Sequence, residues 1–324
     1  MGASPTMIAV GGGKGGVGKS VVSILLGQWL ARLGRSTVLV DLDLGGANIH
    51  TLLGIKDPPA TIHDLILRKT DSLEDIALST PVERFRVICG ASEILSAANP
   101  VFAQKLKIVR KLQEIDAEYI ILDLGAGTSF DVLDFFLLAD RQVLVTTSEP
   151  IAIYNAYGFL RNSVYRRLIQ LVREYPEWKA LIQAAMDPKN EFEIRTVRSL
   201  YERLSDEADP ELWDRLSREI RKIRPGVIVN QVREPRERNT SRIIQQVADR
   251  YLMVEVHDLG PVVYDSHIRT MVSRMVPLVS RNGIAGAFES IHQIATALLE
   301  GTPPPAQRSP NGGRKAPQPP AQVR

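Results

Sequence analysis

Apolar residues in this chain fall into two kinds of run. Short blocks at Met7 to Val10, Thr37 to Val40 and Tyr119 to Leu122 are apolar or β-branched and predict buried strands. Longer stretches carry apolar residues at helical spacing and predict helices at Val21 to Leu33 and at Ile284 to Leu299. The second of these reads as a last helix packed on the sheet, with membrane contact as the alternative. Strand and helix signals alternate, which predicts an α/β fold with a mostly parallel twisted sheet flanked by helices on both faces. From about residue 173 to 223 the sequence is helix-compatible but broken by Pro176, Pro188 and Pro210, as expected of a helical insertion. Residues 1–300 then form one domain. The stretch 301–324 is proline-rich, has Arg308, Arg314, Lys315 and Arg324 but no acidic residue, and is expected to be a disordered basic tail.

The first strand leads into Gly13-Lys14-Gly15-Gly16-Val17-Gly18-Lys19-Ser20, which has the form G-x-x-x-x-G-K-S, and a helical pattern follows. A strand, this loop and a helix make a P-loop NTPase arrangement. Its glycines let successive N–H groups point inward, and the helix adds its positive end, so the loop suits the phosphates of ATP. Lys19 is placed to neutralise the β and γ phosphates, and Ser20 to bind Mg²⁺. Lys14 is a second lysine in the same loop. Two ammonium groups so close repel each other unless extra anionic charge must be met.

Two other predicted strands end in carboxylates. Asp41 and Asp43 follow Thr37 to Val40, and Asp123 follows Tyr119 to Leu122, at the strand ends where open α/β sheets bind ligands. Asp123 is a candidate magnesium-side residue, and Asp41 a candidate support of the metal's shell. Gly127 could bring its N–H to a γ phosphate. Aspartates at strand ends also cap helices and form turns, and that reading stays open for all three.

With K-G-G-V-G-K-S, D-L-D-L-G-G-A-N at 41 to 48 and D-L-G-A-G at 123 to 127, the chain resembles the deviant-Walker ATPases of the MinD/ParA group (SIMIBI class). Within that group it is most similar to the FlhG/FleN-like flagellar-number regulators. The likeness extends through T-T-S-E-P-I-A-I-Y-N-A-Y at 146 to 157, V-I-V-N at 227 to 230 and the segment 259 to 279. It implies an ATP-dependent homodimer that hydrolyses ATP slowly and controls the placement or number of a cellular assembly, with flagella one such assembly. It implies that Lys14 acts across the dimer on the partner's phosphates, that Asp43 orients the attacking water, and that Asn230 reads the adenine. A further protein that stimulates hydrolysis is expected, as is a surface, membrane or non-specific DNA, that the ATP state binds.

The remaining composition narrows the classes. Cys89 is the sole cysteine, so one chain can form neither an intramolecular disulfide nor an iron–sulfur cluster on cysteines. No apolar run reaches the roughly 18 residues of a membrane span, and no charged-then-apolar leader is visible, so a cytoplasmic protein is expected, peripheral on membrane or nucleoid when ATP is bound. The tail also lacks the amphipathic helix with which MinD-like proteins insert into a bilayer. Glu191 to Asp214 is mainly acidic and Arg215 to Arg242 mainly basic. The basic stretch supports the alternative of a ParA-like ATPase with ATP-dependent, non-specific DNA binding, through Arg215, Arg218, Arg221, Lys222, Arg224, Arg233, Arg236, Arg238 and Arg242. A second alternative is an ATP-dependent biosynthetic enzyme on the same fold. A tyrosine kinase of this superfamily would need a C-terminal tyrosine cluster, and the last tyrosine is Tyr264.

Overall fold

The computed structural model describes residues 4–90, 102–187, 189–278 and 286–300. The expected tail, 301–324, lies outside the described residues. Eight strands form one sheet: β1 (Thr6–Gly11), β2 (Thr37–Leu42), β3 (Leu78–Ser79), β4 (Phe85–Ile88), β5 (Tyr119–Leu124), β6 (Arg141–Thr146), β7 (Gly226–Val232) and β8 (His257–Val263). Their spatial order is β3-β4-β2-β5-β1-β6-β7-β8, and only the β3–β4 pairing is antiparallel. The central strands are buried on both faces, and so they read as continuous apolar runs rather than alternating ones.

Alternate residues of each strand feed two cores. Met7 and Ala9 of β1 face one layer, and Ile8 and Val10 face the other. The second layer is built on α1 (Lys19–Arg32) and α12 (Gly286–Glu300). Trp29 ties these helices together, its ring tilted against Phe288 at 4.4 Å and stacked on His292 at 4.2 Å, with its indole N–H donating to the Phe288 carbonyl at 2.7 Å. Of the stretch Ile284 to Leu299, the described part from Gly286 onward is thus core: Ala287, Ile291, Ile294, Ala295 and Leu298 are buried.

The first layer holds α4 (Phe102–Gln113), α5 (Phe130–Leu138), α6 (Pro150–Leu171) and α10 (Thr240–Leu252), together with the insertion. Short helices α2 (Ile49–Leu52) and α3 (Ile62–Ile66) follow β2. The insertion is three helices, α7 (Pro176–Ala184), α8 (Val197–Glu207) and α9 (Pro210–Ile220), and the prolines that break the sequence pattern open two of them. Thr196 caps α8, and Asp209 caps α9 by accepting the N–H groups of Glu211 and Leu212. Val197, Leu200, Leu204, Leu212, Leu216 and Ile220 join the first core, and the Tyr165 hydroxyl of α6 donates to the Ala185 carbonyl at 2.8 Å. α11 (Ser266–Ser273) lies after β8 and has no buried residue. Among the described residues, no helix is long and apolar enough to cross a membrane.

Candidate functional site

The phosphate-binding loop leaves β1 and enters α1, and its shape is enforced from three sides. A Cβ on Gly12 would sit 2.8 Å from the Val145 carbonyl oxygen of β6, and one on Gly13 would sit 2.1 Å from the Asn155 carbonyl oxygen of α6. Gly16 and Gly18 adopt φ of +81° and +89°, the left-handed region that glycine enters without strain. From the third side, Asn230 at the end of β7 donates its side-chain N–H to the Val17 carbonyl at 2.8 Å, and Gln231 reaches the Gly16 carbonyl at 3.4 Å.

Lys19 begins α1 and is almost fully buried. Burial holds its ammonium below the usual lysine range, while Asp123 and Asp43 across the cleft push the other way. Asp123, at the end of β5, is also buried and hydrogen-bonds Ser20 and Ser23, the latter at 2.8 Å. Desolvation lifts its carboxyl to about 6. A hydroxyl beside a carboxylate at the start of α1 is an all-oxygen donor pair of the kind Mg²⁺ takes, with waters and phosphates completing the shell. Ser20 and Asp123 therefore fit that ion, and Lys19 is a buried cation suited to a bound phosphate.

Asp43 is half-buried and packs over the loop after β5, since a Cβ on Gly125 would meet its Oδ1 at 3.1 Å. Two residues on, Gly127 has φ of +89° and open space where a side chain would stand. Lys14 is on the surface of the loop, 41% exposed, with its ammonium 3.6 Å from the Glu149 carboxylate at the start of α6.

One expectation gains detail in this geometry and another needs correcting. Asp41 is fully buried: its Oδ1 accepts the N–H of Asp43 and its Oδ2 those of Asn48 and Ile49, all at 3.1 Å. Both oxygens thus hold the loop after β2 in place, the turn-forming role open to a strand-end aspartate. The nine basic residues from Arg215 to Arg242 do not make one patch either. β7 runs between them, placing Arg215 to Arg224 before its first residue and Arg233 to Arg242 after its last, roughly 20 Å apart at the usual rise per residue. Several are also paired, Arg218 with Asp214, Lys222 with Glu219 and Arg236 with Glu234.

The loop opens on a cleft of about 640 Å³. Gly15, Gly16, Gly18, Lys19, Ser20, Asp43 and Asn230 line it, whereas Asp123 lies beneath them and Lys14 outside. The far end is formed by residues to which the motifs assigned no role: Gln231, Arg233, Tyr264, Asp265 and Ile268. There the Arg233 guanidinium lies 4.0 Å over the Tyr264 ring, and Arg269 donates to the Tyr264 hydroxyl at 3.3 Å. A flat aromatic and an arginine beside an apolar wall suit a nucleobase. The sequence signals near them were the likeness over 259 to 279, which covers Tyr264, Asp265 and Ile268, and their place at the carboxyl ends of β7 and β8, where such sheets bind ligands.

Known proteins match this chain in sequence and in fold. The family model of the CobQ/CobB/MinD/ParA nucleotide binding domain matches residues 8–278. The antiactivator FleN of Pseudomonas aeruginosa is 29% identical over 293 residues, spanning 89% of this chain and 85% of that protein. Among solved structures, the cell division ATPase MinD of Pyrococcus furiosus superposes with a TM-score of 0.61 at 18% identity, covering 92% of this chain and 99% of that one. The septum site-determining protein MinD of Pyrococcus horikoshii, complexed with Mg-ADP, gives a TM-score of 0.61 at 20% identity, covering 92% and 98%. At such identities the structural likeness is one of fold, and the family assignment rests on the sequence match across most of the chain. The chain belongs to the CobQ/CobB/MinD/ParA nucleotide-binding family, whose MinD/ParA members are P-loop ATPases.

Proposed function

We propose that this protein is an ATP-dependent dimerising switch that hydrolyses ATP slowly and controls the placement or number of a cellular assembly. Gly13 to Ser20 cradle the phosphates, Lys19 neutralises them, and Ser20 with Asp123 holds Mg²⁺. The ion, when bound, offsets charge on the β and γ phosphates. Asp43, half-buried against Gly125, orients the attacking water, and Gly127 turns its N–H toward the terminal phosphate. Asn230 holds Val17 and the base end together. Lys14 serves the partner subunit's nucleotide.

The observation that carries this reading is the contrast between the two lysines of one loop. Lys19 is buried and lines its own cleft, whereas Lys14 is 41% exposed, does not line that cleft and pairs with Glu149. An exposed ammonium in a phosphate loop, outside the cleft of its own subunit, is available to a neighbour's phosphates. Dimerisation then depends on the terminal phosphate, and hydrolysis releases the pair. The near full-length likeness to an antiactivator supports a regulatory output, with flagellar number as the assembly proposed. The DNA-binding alternative loses its main support with the division of the basic residues by β7.

Light scattering with Mg²⁺ and a non-hydrolysable ATP analogue tests the reading. The protein is expected to dimerise with the analogue and not with ADP, and Lys14→Ala to stay monomeric while its nucleotide affinity changes by less than about fivefold. A wild-type protein that stays monomeric, or a Lys14→Ala variant that still dimerises, overturns it.

A further inference from the structure

A second cavity, of about 630 Å³, opens at the opposite end of the sheet, where the C-terminal turn of α9 meets the beginning of β6. It is shared between the core domain and the insertion. On the core side is Gln142, in register with Ala9 of β1 and 9% exposed. Its Oε1 has no hydrogen-bond partner. An amide oxygen buried this way has given up its hydrogen bonds to water for nothing, so an orphan acceptor in the wall of a cavity points to a donor supplied from outside.

The wall is otherwise apolar at Leu137, Ala139 and Ile223 and cationic in balance, with five arginine or lysine side chains against the carboxyl groups of Asp140 and Glu219. Arg167 and Lys222 are both drawn to Glu219, and Arg224 lies 3.5 Å from Glu255. Asp140 accepts the Met7 N–H at 2.9 Å. Arg221 differs: its guanidinium donates to the Ser217 hydroxyl at 3.1 Å, and among the described residues it has no carboxylate partner. The wall therefore offers an uncompensated guanidinium for an anion and an amide oxygen for a hydrogen-bond donor.

We propose that this cavity binds a mononucleotide, with its phosphate on Arg221 and the neighbouring Arg224, and an N–H of its base on Gln142. Guanidinium groups match phosphate geometry, a glutamine amide matches the edge of a base, and the volume is in the ordinary range for small-ligand sites. The site is separate from the phosphate-binding loop, since Gln142 is the second residue of β6 and the loop packs against Val145 near that strand's other end. A ligand there joins α9 of the insertion to the central sheet. The proposal does not depend on the switch reading.

Calorimetric titration of the full chain, with its phosphate-binding loop saturated by ADP and Mg²⁺, tests it with GMP and AMP as probes and inorganic phosphate as control. A saturable second event is expected with at least one nucleotide, weakened at least tenfold in Arg221→Ala, where the substitution is on the surface, and in Gln142→Met. Retained ADP binding shows that each variant is folded, and Arg221→Ala decides alone if Gln142→Met is not. No second event with either nucleotide, equal binding of inorganic phosphate (an adventitious ion only), or an affinity unchanged by Arg221→Ala overturns the proposal.

Discussion

Asp41 and Asp123 are direct neighbours in register across the β2–β5 pair, and both are buried. Two carboxyl groups at adjacent strand ends raise each other's cost of ionisation, and burial adds to it. Asp41 is lifted to about 8, by burial first and Asp123 next, and Asp123 to about 6, mainly by burial. Three backbone N–H groups on Asp41 oppose the shift without cancelling it.

This pair makes the stability of the nucleotide-free protein pH-dependent. A carboxyl whose pKa is raised by folding binds its proton more tightly in the folded than in the unfolded chain. Its contribution is fully present below the unfolded value of 3.8 and is lost as pH rises through the folded values. Stability is therefore expected to fall between pH 5 and pH 8, by on the order of 1 kcal/mol per pH unit where a group is titrating. Thermal unfolding followed by circular dichroism across that range checks it, and Asp41→Asn should flatten the slope. A flat or rising profile in the unmodified protein refutes the pairing argument.

The loop glycines give a sharper, purely steric test. A methyl group on Gly13 would be 2.1 Å from a backbone oxygen of α6, which cannot rotate away, whereas one on Gly15 meets nothing closer than Ala126 at 3.9 Å. Gly13→Ala must push the loop off α6 or α6 off the sheet. It is expected to destabilise the protein by about 1–3 kcal/mol and to weaken nucleotide binding far more than Gly15→Ala does. Parallel melting curves and nucleotide titrations of the two variants decide it, and equal behaviour would mean that the loop is not clamped as described.

Much of this was legible in the sequence because the information is local. The phosphate-binding loop, the helix that follows and the strand-end aspartates are each set by a few consecutive residues. The insertion announces itself by Pro176 and Pro210, which open α7 and α9. What stayed hidden depends on distant segments. The fate of Asp41 is decided by a loop that doubles back to present Asn48 and Ile49. The base end of the cleft exists only because β7 and β8 are neighbours, which brings Arg233 over Tyr264. A run of basic residues reads as one patch until a buried strand is found to separate it. Gln142 gave no signal at all, since one polar residue in an apolar strand reads as an exposed edge position.

Asp43 is expected to matter for turnover and little for folding. Its side chain is half-buried, and it touches the loop after β5 through Gly125. Asp43→Ala should lower the hydrolysis rate by about 100-fold or more, the usual scale for losing a group that positions a proton or a water. Nucleotide affinity should stay within a few-fold, so the ATP-bound dimer accumulates. Phosphate release and light scattering on the same sample measure both quantities, and a normal rate removes Asp43 from the reaction.

Glu149 has a smaller and opposite effect. Its carboxylate is 65% exposed and holds the Lys14 ammonium at 3.6 Å, so the lysine proposed to act on a partner is occupied within its own subunit. An exposed pair of this kind is worth about 0–1 kcal/mol, and a symmetric dimer must break two of them. Glu149→Gln frees both lysines at once, and the expected result is a dimer up to about tenfold tighter with the non-hydrolysable analogue, with monomer nucleotide affinity unchanged. The gain should shrink in high salt, where the pair is already screened. Sedimentation equilibrium at two ionic strengths reads both effects. If the substitution instead weakens the dimer, Glu149 is a contact across the interface and not a restraint on Lys14.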